Sequence, residues 1–428
     1  MDSEHMAGFL SSAGHVMVES LEEAEAVIVN TCGFIRPAVE ENIETILELA
    51  QLKEEGVFRL LLVTGCLTQR YQAELAAELP EVDGFAGTGE YHRIADLLAA
   101  ADRRERPQYY RSPEAFISDL PRSRAGSAPS AYLKIAEGCP RSCSYCVIPQ
   151  IRGKLHSRDP EEILAEAKIL ASEGVREIVL VAQDTTAYGL DLAGRSLLSE
   201  LLQKLATIEG LHWIRFLYAY PELVTDELLE TMAQEEKVCA YLDLPLQHVS
   251  GEILRSMGRK GSREEYLELL EKVRTYLPEA AIRSTFIVGY PGEREEDFQA
   301  LLEFVDTVRF NQLATFTYYP EEGTRAAQLP NQVPPEVARK RLARLTNLQE
   351  IISTEVNHSR VGKVEEVLVE TANSTERIIY GRSFREAPEI DSVVVASVAV
   401  GGKMPAPGDL VQVKITDADS QELTAVLV

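Results

Sequence analysis

The sequence predicts an α/β protein in three parts: an N-terminal open α/β domain, a central partial (βα)6 barrel and a small C-terminal antiparallel β-barrel. Three observations carry this expectation. Short apolar strand runs alternate with amphipathic helical stretches from Ala24 to about Pro330, the pattern of a parallel sheet covered by helices. A polar stretch rich in Ser, Pro and Arg, residues 103–130, interrupts the alternation and marks a boundary. After Gly362 the helices stop, and short strands follow one another between Gly, Pro, Asn and Asp turns. The predicted limits are 1–102, a linker at 103–130, 131–354 and 355–428.

Composition bounds the function. At 428 residues and 45% apolar content, the chain can build several cores. No stretch approaches the ~18 uninterrupted apolar residues of a membrane-spanning helix. The polar, acidic start Met1-Asp-Ser-Glu-His does not read as a secretory signal, so a cytoplasmic setting with reduced thiols is expected. The net charge of −25 repels nucleic acid and anionic membrane over most of the surface and favours a basic partner. No membrane and no DNA partner is expected.

In the first part, residues Met1 to Ala13 read as a helix, and Ala24-Glu-Ala-Val-Ile-Val-Asn30 as a buried strand. A helix from Ala38 to about Glu55 follows, then the strand Arg59-Leu-Leu-Leu-Val-Thr64 and a helix near Gln72 to Leu79. Cys32 and Cys66 stand at equivalent positions just past the two strands. Ligands of open α/β sheets gather at such strand ends, so the pair suggests a thiolate site. The chain opens on a helix, whereas a sheet of this kind normally opens on a strand.

The central part offers six strands, beginning near Ala131, Glu177, Trp213, Ala240, Ala281 and Gln312. Six βα units are too few for a closed eight-stranded barrel. Polar residues recur at the predicted carboxyl ends, among them Gln183, Tyr218, Tyr220, Gln247, Arg283 and Tyr318, and in such architectures that rim is where sites form. A helix from Pro334 to about His358 leads into the last part, with strands near Val364, Arg377, Ser392 and Leu410. From Glu355 to Val428 there are 12 Asp and Glu against 7 Lys and Arg, which argues against the basic groove of a single-strand binder.

The most informative stretch is Cys139-Pro-Arg-Ser-Cys143-Ser-Tyr-Cys146, which concentrates three of the six cysteines in one loop after the first central strand. Three thiolates leave one iron of a 4Fe-4S cluster open, since complete cysteine ligation takes four. An open coordination position separates catalytic from structural metal sites. A zinc site would need a fourth Cys or His at close spacing, and His156 lies ten residues past Cys146. Buried unligated thiols are the other plain alternative.

The Cys139-x3-Cys143-x2-Cys146 loop on the first strand of a six-unit barrel, with Tyr145 before its last cysteine, resembles the radical S-adenosylmethionine enzymes. Together with Asn30-Thr-Cys-Gly-Phe34, Thr64-Gly-Cys66, Gly289-Tyr-Pro-Gly-Glu293, Glu321-Glu-Gly-Thr324 and a C-terminal barrel of TRAM type, nearly the whole chain resembles the methylthiotransferases. Ala182-Gln-Asp-Thr-Thr-Ala-Tyr-Gly189, Tyr241-Leu-Asp-Leu-Pro-Leu-Gln-His248 and Gly381-Arg-Ser-Phe-Arg-Glu-Ala-Pro-Glu-Ile-Asp391 look like the branch acting on an aspartate of ribosomal protein S12. A tRNA adenosine methylthiotransferase and a non-catalytic iron–sulfur ribosome-binding protein are the alternatives. The acidic barrel suits basic S12 better than tRNA.

The resemblance implies two 4Fe-4S clusters and S-adenosyl-L-methionine as cofactors. Cys139, Cys143 and Cys146 would hold the cluster whose open iron chelates the amino and carboxylate groups of S-adenosylmethionine. Cleavage of that molecule gives a deoxyadenosyl radical that takes hydrogen from the β-carbon of the substrate aspartate. Cys32 and Cys66 would hold the second cluster, which delivers the methylated sulfur. Tyr145, Gln183, Gln247 and Arg283 are the candidate cofactor contacts. An electron donor such as flavodoxin or ferredoxin is implied as a partner. One departure stands out. The family places a further cysteine in a Gly-Cys-x-Lys-Asn stretch just before the Asp-Ser-Glu matched here by Asp2-Ser3-Glu4. Read literally, the second cluster lacks its third ligand and is expected to assemble poorly.

Overall fold

The structure is a computed structural model that describes residues 1–112, 121–124, 126 and 128–428. It divides into two compact units, one formed by 1–126, 137–156 and 319–327, the other by 127–136, 157–318 and 328–428. The division cuts across the predicted boundaries, because the three-cysteine loop groups with the N-terminal part.

In the first unit a parallel sheet runs in the order β1 (Ala26–Thr31), β2 (Leu60–Gly65), β3 (Gly84–Ala86), β4 (Gln108–Tyr109). Successive strand side chains face opposite sides, so a strand covered on both faces must be apolar throughout. β2 meets this requirement: Leu61 and Val63 join Ile46, Phe58 and Leu75 on one face, while Leu60 and Leu62 join Met6, Ile94 and Leu97 on the other. The helices α1 (Asp2–Ser12), α2 (Arg36–Glu54), α3 (Cys66–Glu78) and α4 (Ile94–Asp102) supply those partners, except Phe58 in the connection between α2 and β2. Each fully buried Leu or Val here contributes roughly 1.5–3 kcal/mol. The predicted linker contains β4, a two-residue strand with little pattern of its own; residues 113–120 of that linker lie outside the described residues. The two-residue strands β6 (Ala136–Glu137) and β7 (His156–Ser157), with the short helix α5 (Ile148–Arg152) between them, flank the cysteine loop in the chain.

The second unit contains the six central strands: β5 (Ser130–Lys134), β8 (Glu177–Val181), β9 (Trp213–Phe216), β10 (Tyr241–Gln247), β11 (Ala281–Val288) and β12 (Gln312–Thr317). They form two parallel three-stranded sheets, β5-β8-β9 and β10-β11-β12. Where β9 meets β10 only an isolated parallel bridge, Ile214 to Val238, and single bonds such as the Ala219 N–H to the Asp243 carbonyl join them. The predicted open barrel of six units is therefore present, with a seam in its middle.

The C-terminal part is a closed barrel of β13 (Val364–Asn373), β14 (Ile378–Arg382), β15 (Val393–Ser397), β16 (Leu410–Ala418) and β17 (Glu422–Leu427) in the order β13-β14-β15-β17-β16. It is antiparallel except for one pair. β15 and β17 run parallel, because the last strand returns between β15 and β16 to close the barrel. The inward residues Val367, Val369, Ile379, Val394, Val413 and Ile415 fill its core.

Candidate active site

In the first unit, two glycines bring the two N-terminal cysteines together. Cys32 follows β1 and Cys66 opens α3 directly after β2. A Cβ on Gly33 would lie 2.6 Å from the Leu67 nitrogen, and one on Gly65 would collide with the Thr31 carbonyl. Gly65 also sits at φ 104°, open to glycine and strained for other residues. With Thr31 and Gly65 side by side in the sheet register, the two turns touch. Cys32 is exposed and close enough to Cys66 to act on its charge.

The three-cysteine loop packs onto this pair. Cys66, Val147 and Ile151 form a buried cluster with Phe34 against it. Arg152, at the end of α5, donates to the Cys66 sulfur at 3.1 Å, to Asp2 at 3.1 Å and to Glu137 at 3.0 Å. Burial pushes the Cys66 thiol up, and the Arg152 guanidinium opposes that by favouring the thiolate. Sequence reading missed Arg152. Its signal was the Ile148-Pro-Gln-Ile-Arg-Gly153 run after the last cysteine, whose short helix carries a lone cation. Glu321 ties the unit further: it accepts from the Arg36 backbone N–H at 2.7 Å and from Arg70 at 2.9 Å.

Backbone hydrogen bonds help to hold the loop. The Cys139 N–H donates to the Gly153 carbonyl, the Cys146 N–H to the Cys143 carbonyl, and the Ala326 N–H to the Ser144 carbonyl. The Ile148 N–H points at the Cys146 sulfur from 3.4 Å. Cys139, Cys143, Cys146 and Tyr145 are all half-buried, and none of the cysteines is in a disulfide. Among the described residues no three His, Cys, Asp or Glu side chains form a group that could hold a single metal ion. A cubane takes each thiolate on a different iron, so three half-exposed sulfurs on one loop fit it.

In the second unit, the carboxyl ends of the central strands gather polar groups. Gln183 is half-buried just beyond β8, in a loop where Thr185 Oγ1 accepts from the Ala182 N–H and Asp184 caps the next turn. Gln247 ends β10 at φ 70°, a left-handed conformation, and its buried Oε1 finds no partner among the described residues. Tyr218, just past β9, sits at φ 61°. Such strain persists only where the surroundings enforce it, and it concentrates at functional sites. His248 is fully buried: its Nδ1 accepts from the Val249 and Ser250 N–H groups, and burial pushes it down to about 4, so it is neutral.

Arg283 departs from expectation. It is the third residue of the eight-residue β11, not an end residue, and its side chain is largely buried. Its guanidinium donates to Asp243 at 3.2 Å and pairs with Asp391 at 3.3 Å. The reason is register. Asp243 lies directly beside Arg283 in the parallel ladder, and two buried carboxylates outcompete a distant rim.

The fold and this cysteine loop define a radical S-adenosylmethionine enzyme. Residues 133–305 match the radical SAM superfamily model, 1–87 the model described as uncharacterized protein family UPF0004, and 361–428 the TRAM domain model. Among solved structures, the radical S-adenosylmethionine methyltransferase TsrM from Kitasatospora setae is similar in fold, with a TM-score of 0.52 at 14% identity, covering 86% of this chain and 71% of that one. The chain belongs to the ribosomal protein uS12 methylthiotransferase (RimO) family. It is 46% identical to the family member of Geobacter sulfurreducens, over 100% of this chain and 96% of the relative. It is 47% identical to that of Pelotomaculum thermopropionicum over 99% and 95%, and 44% identical to that of Clostridioides difficile over 99% and 95%.

Proposed function

We propose that this protein inserts a methylthio group at the β-carbon of an aspartate of ribosomal protein S12, using S-adenosylmethionine and two 4Fe-4S clusters in the cytoplasm. The observation that carries the reading is the meeting of two cysteine sets in one compact unit, in a chain alike from end to end to the uS12 methylthiotransferases. Cys139, Cys143 and Cys146 would hold one cluster, and Cys32 and Cys66 would contribute to the other. When bound, these groups and S-adenosylmethionine supply the radical and the sulfur, and the chain supplies placement.

The Ile148 N–H near Cys146 and the Arg152 guanidinium on Cys66 offset thiolate charge, which favours metallation and raises the ease of reduction. Tyr145, Gln183 and Gln247 are the side chains we assign to cofactor contact. Arg283 would act from the interior through its carboxylates. The labour divides among domains at 1–102, 131–354 and 355–428. In the last of these the excess of acid suits a basic protein substrate. A donor such as flavodoxin or ferredoxin would supply the electron.

The test is anaerobic incubation of the reduced protein with S-adenosylmethionine and purified S12. The expected outcome is 5′-deoxyadenosine together with methylthiolated S12. Modified tRNA with unmodified S12 would overturn the substrate assignment.

A further inference from the structure

A chain of buried and half-buried polar contacts runs within the second unit from the C-terminal barrel to the loops at the carboxyl ends of the central strands. It starts at Asp391, whose side chain is fully buried. Asp391 Oδ2 accepts from the Ala387 N–H at 2.9 Å and from the Tyr241 hydroxyl at 2.6 Å. Its Oδ1 lies 3.3 Å from Arg283 Nε, an ion pair without hydrogen-bond geometry. Arg283 Nη1 donates to Asp243 Oδ1, and Asp243 Oδ2 accepts from the Tyr218 N–H at 3.0 Å. The Tyr218 carbonyl in turn accepts from the Thr185 N–H at 3.1 Å, and Thr186 Oγ1 accepts from the Tyr220 N–H at 2.9 Å.

We propose that Asp391 is a positioning residue: the C-terminal barrel uses it to fix the cofactor-holding rim of the central barrel, through Arg283, Asp243 and the strained backbone of Tyr218. Two features argue for this. Tyr218 occupies a left-handed conformation that is strained for a tyrosine, so something must hold it, and the Asp243 carboxylate bonds its N–H. Asp243 is itself oriented by Arg283, and the second anchor of Arg283 is Asp391, contributed by the other domain. Removing the outer carboxylate lets the guanidinium turn, and the Asp243 bond to Tyr218 loosens with it. The loop holding Gln183 is bonded to Tyr218 through Thr185, so the disturbance reaches a residue assigned to the cofactor. The C-terminal barrel would thus be part of the cofactor site as well as a surface for a substrate. This inference rests on the radical S-adenosylmethionine reading, but not on S12 being the substrate.

The test compares Asp391→Asn with Arg385→Gln. Asn keeps an acceptor for Tyr241 and Ala387 but loses the charge facing Arg283. Arg385 pairs with Glu279, a different barrel–core contact away from the rim. For cleavage of S-adenosylmethionine without S12, Asp391→Asn is expected to raise KM about tenfold with kcat within about twofold, and Arg385→Gln to leave both unchanged. Asp391→Glu should recover part of the loss. Amide hydrogen exchange reads the same chain without any cofactor: the Tyr218 and Thr185 amides should exchange about tenfold faster in Asp391→Asn only. Unchanged exchange and KM in Asp391→Asn would overturn the proposal, and so would equal effects in both variants. Failure of the wild type to cleave S-adenosylmethionine would sink the enzyme reading, while the exchange comparison would still decide this one.

Discussion

The two ends of the central strands are built on opposite principles. At the amino ends, charge is buried and matched. Glu177, the first residue of β8, is fully buried between Arg215 at 2.9 Å and Arg382 at 2.6 Å, with Ser130 Oγ donating as well. Burial alone would raise its carboxyl, yet Arg382 and Arg215 hold it at about 2. At the carboxyl ends the backbone is strained at Tyr218 and Gln247, and the Gln247 Oε1 and His248 Nε2 atoms find no partner among the described residues. In βα architectures the amino face serves stability and the carboxyl face serves chemistry. Here the difference is legible atom by atom: one end spends its polar groups on the C-terminal barrel, and the other keeps them in reserve.

That comparison can be broken by substitution. The largest effect is expected from Glu177→Gln. Removing one carboxylate leaves two buried guanidinium groups without their shared partner, and breaking such a network costs roughly 3–5 kcal/mol. Chemical denaturation should show that loss, while the reaction rate of the folded fraction stays near wild type. A variant as stable as wild type would mean that the network contributes nothing.

Next in size is a pH effect at His248. Its folded value of about 4 lies below the ordinary 6.5, so the unfolded chain binds the proton more readily. Its contribution to stability is therefore whole above pH 6.5 and is lost as pH falls towards 4, amounting to roughly 3 kcal/mol. Melting temperatures measured across that window should fall in the wild type more than in His248→Asn, which offers an uncharged acceptor to the same N–H groups. Equal slopes would remove His248 from the account.

A smaller and opposite change is expected at the strained end. Gln247→Gly should raise stability by up to about 1 kcal/mol, by relieving the left-handed backbone, while weakening S-adenosylmethionine binding. A variant that loses stability and keeps its affinity would contradict the assignment. Smallest is Glu355→Gln on the surface. It removes the exposed pair with Arg309 and should shift stability by less than about 0.5 kcal/mol.

The alternation of apolar strands and amphipathic helices gave away every central strand; β8 and β9, buried on both faces, have no other composition open to them. The cysteine loop was legible for a different reason: its three cysteines are local in sequence. What stayed hidden depends on partners distant in the chain. Arg283 reads as a rim residue until register sets it beside Asp243. Arg152 reads as a loop cation until Cys66 is seen against it. The parallel β15–β17 pair follows from closure of the barrel, which no local pattern encodes. β17 itself carried a readable signal, the alternation of Leu423, Ala425 and Leu427 after the Asp417-Ala-Asp-Ser420 turn. The helix predicted from Gln72 begins instead at Cys66 and breaks at Gln72, where φ is 44°. The turn of helix so gained begins with Cys66.

The central claim is that one chain joins a radical-generating cysteine loop to a sulfur-delivering pair in order to modify S12. The most direct measurement is the intact mass of ribosomal protein S12 from cells with and without this gene, the latter complemented either by the wild type or by Cys143→Ala. The account predicts a methylthio-sized increment with the wild-type gene alone, absent in the deletion and in the Cys143→Ala complement. An S12 mass identical in all of these cells would contradict it.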